Sequence, residues 1–587
     1  MKLFFKVAFL VLIISCSLFA QAKDTVNVAD TYSSGGTEGT LNDAVAAKIA
    51  AGTLSNTVFK LQLYGLYILT GTIQTPAGSV LEIVAPTPGK TQNTAPPMIA
   101  WTPSSAPNKR FNFDIGGEVR MKNLWILYGS TDGTQVGSSL RVGDSASVSG
   151  GKCTFDNVIF EYSPCPGSAA GAVEIFATHF VGKFNNCYFK NCTDTHFRYY
   201  GRAVSFRFDS QGLHADSLSF ENCTFANMGY VVMAEKAEYY DNVYVNHCTF
   251  FNIMMFSFEN PWWYKAAVTN SLFVNPFMFG YNPTNDGGMN PGGAIMDIDS
   301  VSNFDFVPPF TDEQRRIFFS NNAIYYQTWL TDWMTNCPRS VYLRQQRQDD
   351  LIPLPRPMLS NRSLMFYDTL NAQGQKIWPY MNRANLYENI DPGIIISPTN
   401  MDSLKVFLNK KWDDNSNASW PYDIQNDINQ VWPMSENLAY TNTTLKAAGM
   451  GGYPLGDLYR WWPTEYAQWK TQSAAEKTSI LNKMENGITS VREISGNTIP
   501  DKYILSQNYP NPFNPTTQIT YSVPKYGHVS LKVYNSLGQV VSTLVDGLQN
   551  AGNYEATFEA KHLSSGIYFY QLQSDNVSIT KKLVLMK

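Results

Sequence analysis

Four charged residues fall at matching places in successive segments of this chain: Glu174, Arg207, Glu235 and Glu259. Each belongs to a short alternating run: Val173-Glu-Ile-Phe176, Val204-Ser-Phe-Arg-Phe208, Tyr230-Val-Val-Met-Ala-Glu235 and Phe256-Ser-Phe-Glu259. Alternation sends the apolar residues to one side and the charges to the other, an outer face. Carboxylates on strands about 5 Å apart repel one another unless they hold a cation or a basic partner. An arginine among them could take a proton from beside a substrate carboxylate, while calcium on the acidic groups neutralises the developing charge. These four are the candidate catalytic set, and calcium is the candidate cofactor. The same residues also describe a solvated face laced with salt bridges, and the spacing does not choose between the two. His196, Arg198, Arg202 and Lys236 lie close by in sequence. Trp262-Trp263-Tyr264 follows Glu259 directly, as three candidates for stacking on sugar rings or as a plug over the core.

Other groupings are weaker. Asp286 and Asp297-Ile-Asp299 flank a Gly-rich loop and are a second calcium candidate, or simply a turn. His196 and His214 fall in long connections, and no Gly-x-Ser-x-Gly nucleophile motif accompanies them. Cys187-x4-Cys192 with Cys223 reads as metal ligands or, more simply, as small buried side chains.

What positions these residues is a repeat. The pattern apolar, any, Asn, two residues, apolar returns as Met121-Lys-Asn123-Leu-Trp-Ile126, Phe155-Asp-Asn157-Val-Ile-Phe160 and Phe184-Asn-Asn186-Cys-Tyr-Phe189. It continues as Phe220-Glu-Asn222-Cys-Thr-Phe225, Val245-Asn-His247-Cys-Thr-Phe250, Val268-Thr-Asn270-Ser-Leu-Phe273 and Phe319-Ser-Asn321-Asn-Ala-Ile324. The period, about 23 to about 36 residues with one wider gap, is that of a stacked solenoid. Alternation on either side of the Asn predicts two short strands with a bend between them, and Asn tolerates the left-handed backbone a bend requires. The runs that carry the charged set supply a third strand. The residue after the Asn is Cys187, Cys223, Cys248 and then Ser271, a column of small side chains pointing inward. The fold class expected is all-β: a right-handed parallel β-helix followed by a small C-terminal β-sandwich.

Composition sets the compartment. The 587 residues carry a net charge of -4, which offers no basic patch for nucleic acid. Lys2 and Lys6 precede an apolar run over 7–19, and Ala20-Gln21-Ala22 offers a cleavage site, so 1–22 reads as a signal peptide. Ile13-Ile14-Ser15-Cys16 also resembles a lipoprotein processing box. No later stretch is long and apolar enough for a transmembrane helix. Beyond Cys16 the cysteines are odd in number and show no paired spacing, which argues against a disulfide framework. Aromatic residues make up 14%, which suits either glycan stacking or a wide core.

Along the chain, 23–100 reads as an N-terminal cap and first repeats, with a helix over 41–50 covering the exposed apolar end. Residues 101–463 form the helical solenoid, with long loops in its second half and a solvated polar loop at 344–350. Residues 464–501 read as one capping helix, 464–486, and a linker. Residues 502–587 are a separate all-β module of short alternating strands.

The wording of that module is more specific than its periodicity. Asn508-Tyr-Pro-Asn-Pro-Phe-Asn-Pro-Thr-Thr517, Tyr534-Asn-Ser-Leu-Gly-Gln-Val540, Leu563-Ser-Ser-Gly-Ile-Tyr-Phe569 and Lys581-Lys-Leu-Val-Leu-Met-Lys587 resemble the type A C-terminal sorting domain of the type IX secretion system. The resemblance implies passage through the periplasm and across the outer membrane of a Bacteroidetes-like bacterium, with that machinery as partner. Removal of the module and release or surface attachment would follow. The repeat region resembles the pectate-lyase-like superfamily by architecture, which implies a polysaccharide partner. If the protein is an enzyme, the resemblance points to a polysaccharide lyase. Fold does not give function, however. The motifs of polygalacturonases and pectin methylesterases are missing, and Asp349-Asp350 and Asp413-Asp414 lie in polar stretches. An adhesive or structural surface protein is the alternative.

Overall fold

The computed structural model describes residues 23–101, 111–130, 138–143, 150–161, 171–193, 201–206, 213–234, 238–259, 262–280, 293–303, 308–372, 376–413, 431–486, 491–494, 500–525, 527–549, 551–560, 563–574 and 577–586. The leader at 1–22 and Cys165 lie outside the described residues.

Each repeat turns one corner through a residue with left-handed backbone. Asn123, Asn157, Asn186, Asn222, His247, Asn270, Asn321 and Asn385 all have φ of 48–60°. An 18-stranded parallel sheet folds along this line. Before the corner, Phe155, Phe184, Phe220, Val245, Val268 and Phe319 stand in register on successive strands. After it, Phe160, Phe189, Phe225, Phe250, Phe273 and Ile324 do the same. A second parallel sheet of seven strands includes Gly171–Ile175, Arg202–Phe206, Tyr230–Met233 and Phe258–Glu259. Inward side chains from all these strands meet in one core.

That core explains the aromatic content. The rings of Phe160, Phe189, Phe225, Phe250 and Phe273 form a continuous stack, with centroids 4.6, 5.2, 5.0 and 4.4 Å apart. Each such buried ring contributes roughly 1.5–3 kcal/mol. Cys187, Cys223 and Cys248 are fully buried immediately after the corner, as the repeat predicts. The Cys223 thiol donates to the Phe184 carbonyl and the Cys248 thiol to that of Phe220. Burial raises the Cys153, Cys187 and Cys223 thiols well above their ordinary pKa.

A second corner, five residues after the first, was not read from the sequence. Asn191, Asn227, Asn252 and Asn275 are also left-handed there. Their amides bond in series, Asn227 to Asn191 at 3.0 Å, Asn252 to Asn227 at 3.2 Å and Asn275 to Asn252 at 2.8 Å. Glu161 ends this ladder on one side and Gln327 on the other. The first corner is less regular: Asn157 bonds Asn123, but Asn186 bonds Asp156 and Asn270 bonds Asn246.

The outer side of the post-corner strands is apolar, and residues 432–462 are laid over it. Trp461 donates to Thr224 at 2.9 Å, and Asp457 accepts from the same hydroxyl at 2.7 Å. Gly456 sits at φ 92°, where an added Cβ would come within 2.5 Å of Thr249. The outer side of the pre-corner strands is covered by a helix, Ser473–Asn486, whose Ile480 and Met484 pack on Tyr244, Ala267 and Phe318. His247 stands at the corner position because Glu476 of that helix lies 3.3 Å from its Nε2. Burial pushes the Glu476 carboxyl up, but His247, Asn246 and Trp469 outweigh it, and the net shift is downward.

Several expectations change. The helix expected over 464–486 is two, Pro463–Trp469 and Ser473–Asn486, and the second lies along the sheet rather than over its end. The polar stretch at 344–350 is partly helical, since Pro338–Gln345 runs into it behind an N-terminal proline. An eighth corner strand, Met381–Glu388, pairs with Arg316–Tyr325. Its Asn385 is followed by Glu388 where the pattern wants an apolar residue. The linker region supplies a strand, Val491–Ile494, to the C-terminal module. That module consists of two four-stranded antiparallel sheets around a core of its own.

Asp457 is fully buried, and its side chain caps the turn Leu458–Trp461. Burial pushes its carboxyl up to about 6, against the pull of Arg460 and Thr224. The folded protein therefore holds this proton more tightly than the unfolded chain, and the contribution favours folding below about pH 4 and fades as pH rises through about 6. Its size is on the order of 3 kcal/mol. Asp457→Asn keeps an acceptor for Thr224 but cannot ionise. The wild-type melting temperature should therefore fall relative to the variant between pH 4 and pH 6 and run parallel to it above pH 7.

Candidate functional site

The charged set lies on the outer face of the seven-stranded sheet. Register places Gln74, Asp114, Arg141, Glu174, Ser205, Met233 and Glu259 on one line across its strands. Glu174 and Glu259 thus share a line, with two strands between them. Arg207 and Glu235 lie outside the described residues. Glu174 points away from the core, since Val173 and Ile175 belong to it, yet it is 0% exposed. This part of the face is enclosed rather than solvated.

Two charged residues on the line, Asp114 and Arg141, were not singled out from the sequence. Arg141 holds Asp114 by a bidentate pair at 2.9 and 2.7 Å, and its guanidinium lies 4.6 Å from the Phe111 ring. Both side chains are largely buried. The signal was present in Phe111-Asn-Phe-Asp-Ile115 and Ser138-Ser-Leu-Arg-Val142, which alternate as the later strands do. Removing one member of a buried pair leaves the other charge uncompensated. Arg141→Ala should therefore destabilise the protein by about 3 kcal/mol in chemical denaturation, and adding Asp114→Asn should restore most of that loss.

The aromatic triplet divides. Trp263 is 1% exposed, its indole donates to the Asp297 carbonyl at 3.1 Å, and its ring packs edge-on against Phe258. It is a core side chain with no face to offer a sugar. Its carbonyl also accepts from Arg315, a fully buried arginine that reaches the Asp299 carbonyl and the Asp312 carboxylate. Trp262 and Tyr264 are half-buried, and Tyr264 stacks on Phe310 at 4.5 Å. In the second calcium candidate, Asp297 and Asp299 both bond Arg362 at 2.5 Å, and Ser360 and Ser363 also donate to Asp297. An arginine fills the place a cation would take. Asp286 lies outside the described residues, as do His196, Arg198 and Lys236. Arg202 is buried beside the Tyr230 ring.

In the C-terminal module the Asn-Pro-rich segment is fastened down by side chains. Asn508 donates to the Pro510 carbonyl and to Thr517, while the Tyr570 hydroxyl accepts from Asn508 N and donates to the Ser506 carbonyl. Phe513 is buried against Phe558, and its backbone joins the last strand, Val577–Leu585, through Val584. The turn after Tyr534 closes on Asn535, whose carboxamide oxygen accepts from Leu537 N and Gln539 N, with Gly538 at φ 78°. This region matches the family described as Secretion system C-terminal sorting domain, over residues 507–586. Residues 507–586 are a type IX sorting domain. The match does not extend to the parallel-sheet region, and no curated protein matches the chain.

The sorting domain indicates export to the cell surface or beyond through the type IX machinery. No helix among the described residues is long and apolar enough to cross a membrane. Because the sorting domain has its own core, truncation after Asn486 should leave the parallel-sheet body folded but held in the periplasm. Fractionation followed by limited proteolysis checks both outcomes; normal extracellular levels of the truncated chain would refute the export role.

Proposed function

We propose that the body upstream of the sorting domain is a right-handed parallel β-helix that binds polysaccharide outside the cell without cleaving it. The β-helix reading is supported by the parallel register between successive repeats and by the corners at matching positions. The extracellular setting follows from the sorting domain, which on its motifs is of type A. Whether the mature protein is released or stays attached does not alter this reading.

The observation that favours binding over lyase chemistry is that Asp114, Asp297 and Asp299 are already engaged. Asp114 is taken by Arg141, and Asp297 and Asp299 by Arg362. Lyase chemistry at Glu174, Arg207, Glu235 and Glu259 would need a base and calcium ligands open to substrate, and Glu174 is enclosed. Trp262 and Tyr264 keep part of their surface in solvent beside this sheet and suit a sugar ring. The alternative, an adhesive or structural rod, draws on the stacked phenylalanines and the Asn ladder.

Affinity electrophoresis of the secreted protein through a panel of neutral and uronate-containing polysaccharides tests the reading. At least one glycan should retard it, and Trp262→Ala with Tyr264→Ala should weaken binding about tenfold. Incubation with uronate polymers should yield no absorbance from unsaturated ends. New absorbance would establish the lyase, and mobility unaffected by every glycan would favour the rod.

A further inference from the structure

We propose that His179, His214 and Asp216 form a binding site for one divalent transition-metal ion, with open coordination positions facing solvent. This site does not depend on the glycan reading. His179 immediately precedes the strand Phe180–Asn185, and His214 opens the strand His214–Glu221. The pairing of Phe180 with Ala215 sets His179 beside His214. Ala215 belongs to the core, so alternation turns both His214 and Asp216 outward. The register of consecutive repeats thus brings two imidazoles and a carboxylate together, although they are far apart in sequence.

Their distances fit a shared ion. His179 Nδ1 lies 2.8 Å from Asp216 Oδ1 and 3.1 Å from His214 Nε2, and His214 Nε2 lies 3.9 Å from Asp216 Oδ1. All three atoms fall within 4.8 Å of one another. Ligands held about 2.0–2.1 Å from a tetrahedral zinc stand about 3.3 Å apart, a value these separations bracket.

Protons satisfy the cluster poorly. A ring nitrogen carries at most one proton, yet Nδ1 of His179 faces an acceptor oxygen and a second ring nitrogen together. One shared proton would have to serve both contacts; in the other tautomer, the lone pair of Nδ1 faces the carboxylate. A cation among the three atoms uses all their lone pairs. The far nitrogen of His214 is held too: its Nδ1 lies 2.8 Å from the Tyr239 hydroxyl, the register partner on the next strand. Such an outer hydrogen bond orients a metal-binding imidazole and fixes its tautomer. The Asn242 amide donates to the Asp216 carbonyl at 2.9 Å and steadies the third ligand.

The donor set defines the ligand class. Two imidazole nitrogens and one carboxylate suit zinc, copper, nickel or ferrous iron rather than calcium or magnesium, which prefer all-oxygen sites. The His179 and Asp216 side chains are 51% and 47% exposed, which leaves room for water or an anionic oxygen at the remaining positions.

The test uses the full secreted chain without a histidine tag, stripped with chelator and titrated with zinc by calorimetry. One zinc per chain with a dissociation constant of about 1 μM or tighter is expected. His179→Asn, which suits the same backbone, and His214→Gln should each weaken binding at least about 100-fold. Tyr239→Phe, losing only the orienting bond, should weaken it about tenfold. Metal-free melting temperatures matching wild type show that the variants fold. Zinc-edge absorption of the loaded wild type should show two imidazoles, a readout that needs no variant. No stoichiometric uptake, uptake unchanged in folded His179 and His214 variants, or a spectrum without imidazole would overturn the proposal.

Discussion

The body of the protein depends on a left-handed residue at each corner. If a corner residue abandons positive φ, the strand after it leaves its partner, and parallel pairing fails on both sides of the repeat. Asn meets that condition at little cost and brings a side chain that can bond the next repeat. The Asn191–Asn275 series shows the result, a row of buried amides that satisfy one another along the stack. At one corner the residue changes: His247 faces Glu476, and the main-chain register is unaffected.

The first corner was legible because its Asn sits inside a pattern of apolar residues that recurs. The second was not, although it falls five residues later each time, because only four repeats carry it; Tyr128, Tyr162 and Tyr326 stand at that place in others. Met381–Glu388 escaped notice for a related reason: Glu388 breaks the apolar pattern, while Asn385 keeps the corner. Helices between the later strands were read as loops, since Pro338 and the polar residues near 344–350 signal punctuation as readily as a helix start. The sorting domain was legible in its wording, because its Asn, Pro and Tyr side chains fasten specific backbone groups.

The candidate site was harder to see, for a physical reason. Alternation gives the face on which a residue lies, but not its height along the strand. Glu174 and Glu259 are aligned, with the uncharged Ser205 and Met233 between them on that line. Nor does alternation say what covers a face. Some outward-pointing residues lie under 432–462, some under the helix Ser473–Asn486, some, like Glu174, are buried, and others, like His179, meet solvent. The His179–His214 pairing was hidden in the same way, because it depends on a register shift at Phe180 that no single segment encodes.

The thiol column bears on the protein's passage out of the cell. Cys187, Cys223 and Cys248 are reduced side chains stacked in a sealed interior, in a protein whose sorting domain sends it through an oxidising compartment. Once folded, burial suppresses the thiolate of Cys187 and Cys223, the form that oxidants attack. Before folding, nothing does. A disulfide or sulfenic acid formed on the open chain would be too bulky or too polar for the column, so the repeat could not close around it. For this chain, closing the repeat shuts off a chemistry that the open chain leaves available.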